Sequence, residues 1–465
     1  MGGQPSHAQR TAVVPYPSPK STGSGSSSMR LAFVHLSDIH FGQERNGQIV
    51  VNDDVKRCLI DDCRRVLLDR KPEEIGAVIV TGDIAYSGKK HEYEAAGQWL
   101  DTLTSAIGCK RSAVRIVPGN HDIDRDLMRE STLDMLAAIA NEGEAKLDKY
   151  LGSEGDRDQL FARFESYRLF AEAYDCSLDH AGGLAGNHVH VLAPGRSLRF
   201  VGMNSALICR GDGDKLGRLL LGKRQWVLPR AAGEELVVLT HHPLHWFQDS
   251  EEAQDYVRSR ARVYLSGHEH NPSVSVDPID NRCDLLKLAA GATVPPKTEN
   301  GVNYCYNVLE FEWDEATDDL LVTVTPRAWV KTKTNFDAAP ELLGGKGPRF
   351  SLGSPNFRSG TGADAVVDVS AMTDQPRNAS EPSQVLETVM EDPYPLLLVR
   401  FFRDLSEKQR LETLVGLQIL PASWSGALTH AIERRCLDKL RDAGKLENLK
   451  AEIDRHAGNA LGGDK

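Results

Sequence analysis

Aspartate, asparagine and histidine follow the ends of apolar runs at five places in this chain, and all three are oxygen or nitrogen donors for hard or borderline cations. The run Leu31 to Leu36 leads into Ser37-Asp38-Ile39-His40-Phe41-Gly42, where a carboxylate and an imidazole two residues apart can face one ion. After Ala77 to Thr81 comes Gly82-Asp83; glycine permits a tight turn, and a carboxylate with two oxygens can bridge two cations. Val114 to Val117 runs into Pro118-Gly119-Asn120-His121-Asp122. Here Asn120 offers a neutral amide oxygen, His121 can give a proton or a hydrogen bond to a phosphate oxygen, and Asp122 can fix the imidazole and raise its basicity. Leu236 to Thr240 ends in His241-His242-Pro243, and Val263 to Ser266 ends in Gly267-His268-Glu269-His270. Any one block reads equally well as a turn or a hydrogen-bonded loop histidine. Five in succession do not.

Two aspartates, an asparagine and a set of histidines are too many donors for one tetrahedral site with an open position. With Asp83 shared, they suffice for two ions. Ions ~3.5 to 4 Å apart clamp the attacking and departing oxygens of a phosphoryl transfer and lower the pKa of bound water. Oxygen and nitrogen ligation without thiolates suits two divalent or mixed-valence transition-metal ions, Mn, Fe, Zn, Ni or Co.

The elements that must carry these blocks have the pattern of an α/β protein. Val-, Ile- and Leu-rich runs, with Leu198 to Met203 as a further one, alternate with helical-looking stretches, as for strands covered on both faces. Ligands of such sheets bind at the carboxyl ends of strands, where the five blocks fall. The charged, helical-looking stretch at about 123–180 is expected to be an insertion, shaping substrate access or packing on the core. Leu285 to Ala290, Tyr304 to Phe311 and Leu320 to Val324 read as strands of a second, more antiparallel sheet.

Residues 1–28, rich in Ser, Gly and Pro, read as a disordered tail, 29–330 as the catalytic domain and 331–390 as a flexible linker. A helical unit is expected over 391–460. Ser406 and Gln409 form a capping-box pattern, Leu428, Ile432, Cys436 and Leu440 share a helix face, and Leu446, Leu449 and Ile453 mark a last helix. No stretch approaches ~18 uninterrupted apolar residues, so no membrane span is expected. The net charge of -11 argues against a sequence-independent grip on long nucleic acid but leaves room for a nucleotide-sized substrate. Eight cysteines without a CxxC pair fit reduced thiols in a cytoplasm.

The five blocks, in order, closely resemble the calcineurin-like metallophosphoesterase superfamily, whose pattern is D-x-H, G-D, G-N-H-[DE], H and G-H-x-H; the resemblance covers roughly residues 30–325. It implies two facing mixed β-sheets flanked by helices. It also implies that Asp38, His40, Asp83 and His270 hold one metal, and Asp83, Asn120, His241 and His268 the other. His241 is selected over His242, which becomes a neighbour able to contact substrate. His121 resembles the catalytic histidine of the family, which stabilises charge or protonates the leaving oxygen while metal-bound hydroxide attacks phosphorus. Leu36 to Gly42, Val80 to Asp83 and His241-His242-Pro243 look most like class III cyclic nucleotide phosphodiesterases, although the insertion after Asp122 is longer than in compact members.

Leu420 to His430, with Arg434-Arg435 and Leu437 to Leu440, resembles small helical adaptor domains attached to effectors of bacterial signalling and conflict systems. An independent bundle with Trp424 in its core accounts for the same spacing. The expected activity is hydrolysis of a phosphodiester or phosphomonoester of a nucleotide-like molecule, with a protein partner bound through 391–460. The alternative is a nuclease effector recruited to nucleic acid through that unit.

Overall fold

β-branched and leucine-rich runs form strands when both faces are covered, and the apolar runs of this chain do so in a computed structural model that describes residues 28–43, 50–178, 187–210, 214–278, 284–294, 304–359 and 392–460. The described strands are β1 (Leu31–Leu36), β2 (Glu74–Thr81), β3 (Val114–Val117), β4 (Asn187–Ala193), β5 (Arg196–Gly202), β6 (Glu234–Leu239), β7 (Ala261–Ser266), β8 (Ser273–Asp277), β9 (Leu285–Ala289), β10 (Cys305–Asp314), β11 (Asp319–Val330), β12 (Asn335–Ala338) and β13 (Arg349–Leu352). They make two mixed sheets. One has the order β12-β11-β10-β1-β2-β3 with β13 also on β11; the other has the order β4-β5-β6-β7-β9-β8. The inner strands β1, β2 and β3 are mutually parallel, as are β5, β6, β7 and β9. The strand ends that carry the five blocks therefore open on the same side of each sheet.

Aromatic rings fill the space between the sheets. Phe33 of β1 lies 4.9 Å from Phe200 of β5, 5.1 Å from His190 of β4 and 5.4 Å from Phe311 of β10, centroid to centroid. Helix α1 (Val50–Arg70) follows β1 and α2 (Lys90–Ile107) follows β2. Asp62 of α1 takes a bidentate Arg327 contact from β11 at 2.7 Å and the Tyr306 hydroxyl at 2.6 Å, which locks α1 onto the first sheet. The segment between β3 and β4 is helical, with α3 (Glu130–Glu142), α4 (Glu144–Gly152), α5 (Glu154–Phe161) and α6 (Glu165–Ala173). After β5 come the short α7 (Lys223–Trp226), α8 (Ser250–Arg260) and α9 (Pro355–Ser359), then α10 (Tyr394–Val399), continued by a π-turn over 400–404, α11 (Glu407–Gly416), α12 (His430–Asp442) and α13 (Leu446–Ala460). No described helix is long and apolar enough to cross a membrane, and no described cysteine is in a disulfide.

Three expectations are corrected. β10 and β11 do not found a second sheet: β10 pairs antiparallel with β1, so they extend the first, and only β9 joins the other. Residues 335–359 are no linker, because β12 and β13 pair with β11 and bury Phe336, Phe350 and Leu352. Four-residue edge strands carry too few apolar side chains to register as a pattern. The remainder of the expected linker, 360–390, and the tail up to residue 27 lie outside the described residues.

The third correction concerns the C-terminal helices, which are docked rather than merely tethered. Arg403 donates to Asp101 of α2 at 2.7 Å and to the Tyr174 hydroxyl at 2.7 Å. Arg111 forks onto Asp404 at 2.7 and 2.8 Å, and Arg434 reaches Asp175 at 2.6 Å. Trp424 is only half-buried, while Leu437, Leu440, Leu449 and Ile453 form the core of the unit. Ser406 and Gln409 do form the capping box at the start of α11.

Arg403→Ala should weaken this docking by about 1–3 kcal/mol, the usual cost of stranding partly buried charged hydrogen-bond partners. Amide hydrogen exchange should speed up in α6 and α10 and stay unchanged in β1 to β3. Unaltered exchange in α6 would show that other contacts hold the unit.

Candidate metal centre

Each candidate side chain sits two to four residues past a strand end. Asp38 and His40 follow β1, Asp83 follows β2, Asn120 and His121 follow β3, His241 follows β6, and His268 and His270 follow β7. The two sheets bring them together around Asp83. Its Oδ2 lies 3.5 Å from His40 Nε2 and 3.2 Å from His241 Nε2. On one side of Asp83, His270 Nε2 is 3.2 Å from Asp38 Oδ1. On the other, Asn120 Oδ1 is 3.2 Å from His241 Nε2 and 3.1 Å from His268 Nδ1. Donor atoms of Asp38, His40 and His270, and of Asp38, Asp83 and His241, lie within 4.8 Å of one another.

The local chain pays for this convergence in backbone strain. Asp38, His40, Asp83, His268 and His270 all have left-handed φ values, between 53° and 69°, a region costing of order 1–3 kcal/mol for each non-glycine residue. Two glycines allow the loops to close: a Cβ on Gly119 would overlap Asp83 Oδ1, and one on Gly267 would overlap Ser37 Oγ. The imidazoles are aimed by carbonyls. His40 Nδ1 is 3.1 Å from Val294 O, and His241 Nδ1 is 2.8 Å from Thr81 O. Donation from Nδ1 leaves Nε2 of each as the nitrogen with a free lone pair.

Burial and neighbouring charge shift the protons. Burial alone would lower His241, but the Asp83 carboxylate more than offsets it and raises the imidazole to about 9. For His40 burial likewise opposes and Asp83 prevails, raising it. Asp38 would be raised by burial, yet His270 and His241 bring it down to about 2. Burial lowers His268 to about 4. Fully buried donors without partners are costly unless something occupies them. Asp38 Oδ1 and His40 Nε2 are buried, and beyond their facing site residues His270 and Asp83 no well-aligned hydrogen bond satisfies them among the described residues. The donor set therefore fits bound cations.

Two expectations about neighbouring side chains change. Asp122 does not hold the His121 ring. Its carboxylate accepts from Ala85 N at 2.9 Å, Gly119 N at 2.9 Å and the Tyr93 hydroxyl at 3.0 Å, so it ties the loops after β2 and β3 to each other and to α2. Burial and the nearby Asp83 raise it to about 6. His121 is held instead by Tyr86, whose carbonyl lies 2.8 Å from Nδ1 and whose ring stacks on the imidazole at 5.3 Å. The main chain of His121 donates to Asp83 Oδ1 at 2.8 Å. His242 is fully buried, with Nδ1 3.1 Å from Ser205 Oγ and Nε2 3.8 Å from Cys209 Sγ, so it is not placed to meet substrate. Tyr86, Tyr93, Ser205 and Val294 were not singled out from the sequence, because tyrosines, hydroxyls and carbonyls at these places carry no pattern until the loops fold together.

Facing mixed sheets whose strand ends converge on a cluster of Asp, Asn and His define a metal-binding phosphoesterase sandwich. The chain belongs to the calcineurin-like phosphoesterase family, whose model matches residues 31–272. Residues 393–455 match a second model, the GTPase-associated adaptor domain. A curated relative, the uncharacterised metallophosphoesterase-like protein YydB of Bacillus subtilis, is 27% identical over 281 residues, which is 57% of this chain and 54% of that one. The chain thus spans about half the length of that relative. Solved structures with some likeness include the sulfate thiohydrolase SoxB of Thermus thermophilus (TM-score 0.33, 10% identity, 67% of this chain and 58% of that one). Others are a putative 5′-nucleotidase from Staphylococcus aureus (0.31, 11%, 67% and 53%) and a phosphatase from Mycoplasma pneumoniae (0.30, 12%, 72% and 97%). The family assignment rests on the model match, not on these likenesses.

A cation held by His241 would have to displace the proton that Asp83 favours on its ring. Binding should release protons, and apparent affinity should weaken about tenfold per pH unit below about 9. Titration calorimetry with Mn in buffers of different ionisation heat measures both; affinity flat from about pH 6 to about pH 9 would remove His241 from the donor set. Asp83→Asn and Gly119→Ala should both deplete bound metal, read by elemental analysis, the second because its Cβ displaces Asp83.

Proposed function

We propose that this chain is a dinuclear metal-dependent phosphoesterase hydrolysing a phosphodiester or phosphomonoester of a nucleotide-sized molecule. The single observation that carries this reading is the Asp83 carboxylate, lying between a donor group of Asp38, His40 and His270 and another of Asn120, His241 and His268. Each group plus Asp83 makes four protein donors. Cations of the Mn, Fe, Zn, Ni or Co type, bound there, supply Lewis-acid activation of ester and water.

The contribution of the protein itself is orientation and proton supply. With Nδ1 committed to the Tyr86 carbonyl, His121 keeps Nε2 for the substrate, and it is partly exposed, as are His268 and His270, whereas Asp38, His40, Asp83, Asn120 and His241 are buried. It gives a proton or a hydrogen bond to the leaving oxygen. Asp122 and Asp83 hold the backbone that sets its position. We further propose that residues 391–460 bind a partner protein, which the adaptor-domain match supports.

A panel of aryl phosphodiesters, cyclic nucleotides, nucleotides and single- and double-stranded nucleic acid, assayed with Mn, tests the reading. Turnover confined to small esters supports it, turnover of polynucleotide alone supports a recruited nuclease, and full activity in verified metal-free protein refutes both. His121→Ala should keep its metal content and lose about 100-fold or more in turnover. That loss should shrink for esters with very acidic leaving groups, which need little protonation. If the variant instead lost metal, the role given to His121 would be wrong.

A further inference from the structure

The turn that follows His241 and His242 presents two side chains beside the candidate metal centre. Leu244 and Phe247 are buried and anchor it, so the short helical turn over Leu244–Trp246 leaves His245 exposed and Trp246 half-buried. Trp246 N donates to the Pro243 carbonyl at 3.0 Å, and the Trp246 carbonyl accepts from Leu219 N at 3.3 Å. The indole Nε1–H donates to Glu269 Oε1 at 3.3 Å, and the same oxygen lies 2.8 Å from His245 Nε2. The indole is thereby held in one orientation without being buried.

That orientation sets it directly against a candidate metal ligand. The Trp246 ring is 4.2 Å from the His268 ring, centroid to centroid, at an interplanar angle of 89°. His268 is one of the partly exposed members of the cluster, so the indole borders its accessible side. His121 borders a different half. Its ring lies 5.0 Å from that of His40. The proposed proton donor thus adjoins the group of Asp38, His40 and His270, whereas Trp246 adjoins the group of Asn120, His241 and His268.

An ester held over Asp83 with its leaving oxygen toward His121 directs its other substituents toward the His268 half. A monoester has only bare oxygens to place there, but a diester places its retained organic group. The surroundings suit a flat, uncharged group. The Glu269 carboxylate would repel a further phosphate, while a half-buried indole offers a stacking face at small entropic cost, its side chain turning about only two bonds.

We propose that Trp246 is a specificity-determining residue that stacks on a flat ring in the retained group of the substrate, which makes that substrate a phosphodiester. The shared chemistry is the ring, supplied either by a nucleobase or by a simple aryl group. The inference rests on the phosphoesterase reading and on the place given to His121.

The test uses the Mn-loaded full chain and three esters that release p-nitrophenolate but differ in the retained group: thymidine 5′-(p-nitrophenyl phosphate), phenyl p-nitrophenyl phosphate and methyl p-nitrophenyl phosphate. Intrinsic reactivities differ, so the quantity read is the kcat/KM ratio of a ring-bearing ester to the methyl ester, compared between wild type and variant. Trp246→Leu keeps apolar bulk and loses the flat face; it should lower that ratio about tenfold, the usual contribution of one stacked ring. Trp246→Phe should keep most of it. Which ring-bearing ester responds identifies the source of the ring. Equilibrium dialysis of diphenylphosphinate and dicyclohexylphosphinate, similar in bulk, unhydrolysable and only one of them flat, reads binding alone. Wild type should hold the diphenyl compound about tenfold more tightly. This comparison needs neither turnover nor a variant, so a chain that shows it while hydrolysing no ester would sink the phosphoesterase reading alone. Equal binding of the two phosphinates, or a ratio unmoved by Trp246→Leu, would overturn the role of Trp246.

Discussion

Everything in this site depends on one carboxylate placed where the two sheets meet. Asp83 is almost wholly buried, and an isolated charge there would be driven to neutralise. Burial does push it upward, but His241 and His40 overcome this and hold it well below its ordinary range. His241 comes from the second sheet and His40 from the first, so the same contacts that keep Asp83 ionised fasten one sheet to the other. Its remaining oxygen takes the backbone N–H of His121, which positions the proposed proton donor from the same point.

The surrounding loops are built around that demand. Five non-glycine residues accept left-handed backbones, and Gly119 and Gly267 leave no Cβ where the loops touch. Such strain persists only where the surroundings over-determine it. Here the determinants are main-chain hydrogen bonds between loops: Ile39 and His40 donate to Asp83 O at 2.9 and 3.0 Å, and Val294 donates to Asp38 O at 3.0 Å. Asp122 adds the crosslink that joins the loops after β2 and β3 to α2 through Tyr93.

Tyr93 also begins a continuous series of contacts toward the C-terminal unit. Its ring lies 5.2 Å from Phe170 of α6, Phe170 lies 5.2 Å from Tyr174, and the Tyr174 hydroxyl receives Arg403. The helical insertion therefore stands between the loop that carries His121 and the adaptor-like helices. It is a structural joint between the two family-matched regions rather than a free appendage.

The sequence by itself determined the five donor blocks, the strands that end in them, the family and the helical C-terminal unit, because each depends on local order: apolar runs, turn glycines and donor spacing. It also favoured His241 over His242, a preference that the geometry supports through the partners of each ring. Tertiary structure alone decided the rest. Asp122 and His121 are adjacent in the chain, yet a carboxylate that can collect two loop N–H groups and a tyrosine hydroxyl turns inward to them, and the imidazole takes Tyr86 from a different loop. The sheet to which β10 and β11 belong was likewise illegible, since antiparallel pairing with β1 is a contact between segments more than 270 residues apart. So was the docking of the C-terminal unit, which rests on single arginines meeting Asp101, Tyr174 and Asp175. An isolated charge on a surface helix has no periodicity, and only the folded chain shows which opposite charge it faces.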